Sequence, residues 1–176
     1  MSDAETLRRY PCDEFVPEPA LQAWRGVSVT APATAVWPWV AQIRLAPYSY
    51  DWVDNLGRRS PPVLVGLPDP QVGEAFTATG GRRLGRILAV RPGTELTGTV
   101  LGAVMSYVLV PRGPDSTRLL LKVSMGGPRV LAPLLSVGDL VMARRQLLNL
   151  RRLAESHGRA RRRDDPPGVV GCGDGG

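Results

Sequence analysis

The sequence predicts an α+β domain: a curved antiparallel sheet with two short helices and one long C-terminal helix laid across it. Three observations carry that expectation. Short apolar runs follow one another from residue 73 to residue 125, broken by Gly, Pro and Asp. One long helical pattern, "SVGDLVMARRQLLNLRRLAESHG", follows them. A lone strand signal and a short helical signal precede them.

Residues 1–23 read as an N-terminal arm. Within it "YPCDEFVPEP" has three prolines and little apolar periodicity. "WRGVSVTA" alternates, with Val27 and Val29 on one face and Trp24 off-register, which is a strand signal. In "APATAVWPWVAQI", Pro32 suits a first helical turn, and Val36, Trp37, Val40 and Ile43 share a helical face. Pro38 lies inside this pattern and is expected to kink or shorten the helix. A second short helix is expected to begin at Trp52, capped by Asp51 and supported by Asp54, with Arg58 and Arg59 suiting its other end. "PPVLVGLPDPQV", residues 61–72, reads as a proline-rich loop.

From Gly73 the runs "GEAFTAT", "RLGRILAV", "TELTGTVL", "VMSYVLV" and "STRLLLKVSM" read as five strands, giving six with the first. "PRGPDS" is a hairpin connection between the last two. In the final run Leu119, Leu121, Val123 and Met125 share one face, while Arg118, Lys122 and Ser124 share the other with Leu120. One sheet face is therefore expected to be buried and one largely solvated. On the long helix Leu140, Ala143, Leu147, Leu150 and Ala154 form an apolar stripe, with Arg144, Arg145, Arg151, Arg152 and Glu155 opposite. Ser136 or Asp139 can cap its start, and Gly158 stands where a C-terminal glycine belongs. Val137, Val141 and Leu148 make a second stripe that needs a cover, either the arm or a partner chain such as a second copy in a homodimer. Residues 158–176 read as a disordered Arg/Gly-rich tail, which leaves 24–157 as the folded domain.

Composition excludes several classes. The net charge of +6 comes from 21 arginines and one lysine, Lys122, that are dispersed along the chain. The one dense cluster, Arg159 to Arg163, is followed at once by Asp164 and Asp165. That pattern argues against a nucleic-acid surface, which needs basic charge gathered on one face. No apolar run reaches the roughly 18 residues of a membrane span. The first thirty residues carry no apolar signal-peptide core, so the expected location is cytoplasmic. Cys12 and Cys172 form no metal-ligand spacing and are expected to be reduced thiols. No metal or cofactor is expected.

The chain resembles the SRPBCC superfamily, also called START-like or Bet v-like, over about residues 10–157. "WRGVSVTAPATAVWPWVAQIRLAPYSYDWVDNLGRRSP" resembles an uncharacterised bacterial subgroup described as polyketide cyclase/dehydrase-like. "MSYVLVP" with "STRLLLKV" resembles its paired strands, and "GDLVMARRQLLNLRRLAE" its closing helix. The resemblance implies a helix-grip fold of six to seven strands, the seventh being unread or lying in residues 61–72. It implies a cavity between sheet and long helix. It does not choose among lipid carriers, hormone receptors, cyclases and chaperone activators.

The chemistry is sparse. His157 is the only histidine, so Ser-His-Asp and Cys-His schemes and histidine metal sites are excluded. Asp51, Asp54, Glu74, Glu95 and the tyrosines remain for acid–base work. Asp51 has two readings, a helix cap or a base made stronger by burial. Tyr48, Tyr50 and Trp52 alternate and point one way if the segment is extended. The resemblance places that segment at the pocket mouth. Tyr48, Tyr50, Asp51 and Trp52 are therefore ligand-binding candidates, and Tyr107 is a further one. The leading expectation is binding of a small hydrophobic molecule, lipid or polyketide-like. The alternatives are a cyclase/dehydrase-type enzyme in the same cavity and an interaction module using the long helix.

Overall fold

A computed structural model describes residues 1–49, 55–57, 59–126 and 132–164, with the backbone alone for 132–141 and 160–164. Two short helical turns, α1 (Asp3–Thr6) and α2 (Cys12–Phe15), precede strand β1 (Leu21–Val29). Helix α3 (Ala33–Ala41) tightens into a 3-10 turn at Gln42–Arg44. The hairpin β2 (Thr77–Thr79) and β3 (Arg82–Leu84) is followed by β4 (Arg86–Arg91), β5 (Glu95–Val100), β6 (Ala103–Gly113) and β7 (Ser116–Met125). Helix α4 (Ala132–Asp164) closes the described chain.

The main sheet has five strands in the order β1-β7-β6-β5-β4, and each neighbour is antiparallel. The first strand crosses the molecule to pair with the last, Leu21 opposite Met125 and Val29 opposite Thr117. Period-two alternation then fixes the faces. Ala103, Met105, Tyr107 and Leu109 of β6, with Leu119, Leu121 and Val123 of β7, turn toward the helices. Four residues of the α4 stripe meet them as expected: Ala143, Leu147, Leu150 and Ala154 are all buried, while the side chain of Leu140 lies outside those described. Trp39, Val36 and Val40 of α3 fill the same core. The sheet curves around the long helix, the helix-grip arrangement expected from the sequence.

Several expectations change. The seventh strand does not lie in 61–72, which is irregular throughout. It arises because "RLGRILAV" is cut at Gly85 into β3 and β4. Gly85 has φ +66°, and a Cβ there would stand 1.6 Å from the Thr99 carbonyl oxygen, so only glycine fits. Helix α4 begins at Ala132, so Ser136 and Asp139 lie inside it, and it runs through Gly158 rather than ending there. The expected short helix at Trp52 with its Asp51 cap lies outside the described residues.

The outer sheet face is not solvated, because the arm covers it. Tyr10 and Cys12 pack with Val104, Val108 and Leu120. The Cys12 amide donates to Ser106 Oγ at 2.9 Å, and Ser106 Oγ lies 2.7 Å from Thr97 Oγ1. Lys122 Nζ pairs with Asp13 at 2.5 Å and lies over the rings of Trp24 and Tyr10 at 5.1 and 5.6 Å. Cys12 is a buried free thiol whose pKa burial pushes up, so it packs rather than reacts. The arm therefore lies on the face opposite α4 and does not cover Leu148, which is 38% exposed.

Glu5 ties the start of the arm to β7. Its carboxylate accepts from Arg118 Nε at 2.8 Å and closes a capping box with Ser2. The Arg118 hydrogen bond holds its pKa at about 2, below the ordinary 4.5. A carboxylate lowered on folding adds stability above its unfolded pKa and loses it as pH falls to the folded value. The melting-temperature gap between wild type and Glu5→Gln is thus expected to be full near neutral pH and to close between pH 4.5 and about 2. A gap that persists unchanged at about pH 2 would show that Glu5 holds the arm by something other than its charge.

Candidate functional site

Between α4 and the open end of the sheet lies a cavity of about 490 Å³. Its floor is Ala103, Met105 and Tyr107 of β6 with Met125 of β7. Val100 and Leu101 close one side at the β5–β6 turn. Phe76, Thr77, Thr79 and Leu84 supply a wall from the β2–β3 hairpin, and Ile43, Pro47 and Ser49 another from the segment after α3. Met142, Ala143 and Gln146 of α4 form the roof.

The space follows from the sequence. Farther along α4, Leu147, Leu150 and Ala154 fill the gap to the sheet completely, each at most 1% exposed. At the cavity end α4 contributes Ala143 and β6 contributes Ala103 to the lining, two short side chains. Gly98 lets Phe76 press onto the sheet: a Cβ there would lie 2.2 Å from Phe76 Cδ2. Phe76 stacks obliquely on Tyr107, with centroids 6.2 Å apart. The three lining methionines can shift rotamer to fit ligands of different outline.

The polar groups are few and tied to protein. Tyr107 OH donates to Gln146 Oε1, and Gln146 Nε2 donates to the Pro47 carbonyl at 2.5 Å. Asn149 Nδ2 donates to the Tyr48 carbonyl at 2.9 Å, so α4 clamps residues 47–49 with two amide side chains. Thr77 Oγ1 donates to the Ile43 carbonyl at 2.9 Å. Among the described lining residues none is Asp, Glu, Lys, Arg or His. Binding here would be driven by apolar burial, with Tyr107 and Gln146 able to orient a polar group of a ligand.

Of the candidates read from the sequence, Tyr107 lines the cavity. Tyr48 stands beside it but turns into the 61–65 loop. It is 2% exposed, accepts from Gln42 Nε2 at 2.6 Å and donates to the Pro61 carbonyl at 3.1 Å. Tyr50, Asp51, Trp52 and Asp54 lie outside the described residues. Glu74 and Glu95 do not line the cavity; they pair with Arg44 at 2.5 Å and Arg91 at 3.5 Å. The Gln71 amide and Arg44 hold Glu74 below the usual carboxylate range, the opposite of a poised general acid. His157 packs edge-on to Trp39 at 6.3 Å, away from the cavity. Sequence reasoning missed Phe76, the three methionines and Gln146. Gln146 left a trace: it is a polar residue three positions after Ala143, on the buried side of the helix.

No family model matches the chain, and no curated protein matches it. Solved structures share its fold. A protein from Rhodobacter sphaeroides is 17% identical, with TM-score 0.54 over 80% of this chain and 95% of that one. A conserved protein of unknown function from Enterococcus faecalis is 10% identical, with TM-score 0.51 over 93% of this chain and 99% of that one. A Polyketide_cyc-like protein from Corynebacterium glutamicum is 15% identical, with TM-score 0.46 over 80% of this chain and 94% of that one. At these identities the likeness is one of fold. Among the described residues no helix is long and apolar enough to cross a membrane.

Proposed function

We propose that the protein binds a small hydrophobic molecule, lipid or polyketide-like, in the cavity between sheet and α4, and does so in the cytoplasm. The observation that carries the reading is the cavity of about 490 Å³ walled by Phe76, Met105, Met125 and Met142. That volume lies within the range of small-molecule sites, and its walls are the apolar kind such sites use. An enzyme reading would rest on Tyr107 among the described lining residues, and the binding reading needs no such step.

An environment-sensitive apolar dye such as Nile red tests the proposal. Wild type is expected to bind it with saturable fluorescence. Ala103→Phe from below and Ala143→Phe from above each fill the space, so each is expected to weaken dye binding about tenfold or more, since the added ring displaces apolar contact worth more than 1.4 kcal/mol. Two variants on opposite walls guard against one failing to fold. Undiminished binding in both folded variants would remove the cavity from the account.

A further inference from the structure

Two leucines sit where the backbone favours glycine or asparagine. Leu56 (φ 51°) and Leu101 (φ 48°) each begin a left-handed pair completed by Gly57 (φ 79°) and Gly102 (φ 83°). Left-handed backbone disfavours any side chain with a Cβ. A buried leucine could recover that cost through packing. These two do not: Leu56 is 72% exposed and Leu101 85%.

Both are tied to the elements that wall the cavity. Leu101 lines it directly. Leu56 lies on the β2–β3 turn, its Cδ1 2.6 Å from where a Cβ on Gly80 would be. Thr79 and Leu84 of that same hairpin line the cavity. Exposed arginines flank the two tips. Arg82 and Arg83 follow the β2–β3 turn, and Arg86 pairs with Thr99 two residues before Leu101. Glu74, the carboxylate that feels Arg83, is already paired with Arg44 at 2.5 Å.

We propose that this rim docks on an anionic phospholipid surface, with Leu56 and Leu101 entering the boundary between headgroups and acyl chains and Arg82, Arg83 and Arg86 meeting phosphates. Exposed apolar tips with exposed cations close to them along the chain match the two layers of such a surface, an apolar interior beneath a negative plane. A protein partner with an apolar patch would satisfy the leucines but leaves the three exposed arginines near them in the chain without a counterpart. Docked this way, the cavity rim faces the bilayer. An apolar ligand could then pass between bilayer and cavity with little exposure to water. That consequence rests on the binding reading above; the docking itself does not.

The experiment is co-sedimentation with phosphatidylcholine vesicles, with and without phosphatidylglycerol. Wild type is expected to pellet with the phosphatidylglycerol vesicles and to be released by salt, since screening shortens the reach of the arginines. The paired variant Leu56→Asn, Leu101→Asn is expected to bind about tenfold or more weakly. Asparagine tolerates left-handed backbone, so this variant keeps or gains melting temperature and its loss cannot be blamed on unfolding. Arg82→Gln with Arg83→Gln is expected to abolish the preference for phosphatidylglycerol. Changing Arg161, Arg162 and Arg163 to Gln is expected to alter nothing. Failure of wild type to pellet at low salt, wild-type binding by the asparagine pair, or binding that follows the Arg161–Arg163 cluster would each overturn the proposal. The dye titration contains no vesicles and the vesicle assay no dye, so the two readings fail separately.

Discussion

Gly85→Ala is expected to lose about 4 kcal/mol or more of stability, an exceptional value for a single substitution. The obstacle is backbone, not a side chain that can swing away. A Cβ at Gly85 would lie 1.6 Å from the Thr99 carbonyl oxygen and 2.7 Å from its carbon. Thr99 cannot retreat, because it is paired with Arg86 on one side and Val104 on the other. The Arg86 amide also donates to Thr99 Oγ1 at 3.1 Å. Gly93→Ala is the control. Gly93 has a similar φ of +78° with nothing within 4 Å, so it isolates the conformational cost of about 1–2 kcal/mol. Urea melts of the two variants measure the difference. Equal losses would mean that the Thr99 carbonyl of β5 moves away from Gly85 easily.

Leu147→Ala is expected to cost about 2–5 kcal/mol, the usual result of emptying a filled core position. Leu147 is 1% exposed and packs in the core with Val40, Leu109 and Leu121. Its chain neighbour Leu148, 38% exposed, is the control on the same helical turn. Leu148→Ala is expected to cost well under half as much. A small effect at Leu147, or a larger one at Leu148, would mean that α4 presents a different face to the sheet.

The α4 stripe and the β6–β7 pairing were legible because burial on one side imposes a period, 3.6 or 2, that survives in the residues themselves. Leu119, Leu121 and Val123 against Arg118 and Lys122 show the sheet face directly. The docked arm was not legible for the same physical reason turned round. Ser106, Ser124 and Lys122 are polar, and polar residues on alternate positions read as solvated. Nothing local says that Cys12 and Asp13, about a hundred residues away, arrive to satisfy them. The break at Gly85 depends on a through-space contact with Thr99, which no window of sequence contains. The cavity was half legible. Tyr107, named among the ligand-binding candidates, does line it. Met105, Met125 and Met142 look like ordinary core, because a cavity is defined by what Ala103 and Ala143 fail to fill.

The central claim is that the space above Met105 and Tyr107 holds a hydrophobic molecule. The direct measurement is solvent extraction of the purified protein followed by mass spectrometry, with Ala103→Phe and Ala143→Phe purified in parallel. The account predicts an apolar compound at near-stoichiometric yield from wild type and its loss from both filled variants. An extract with no such compound, from a protein that also fails to take up added dye, would contradict it.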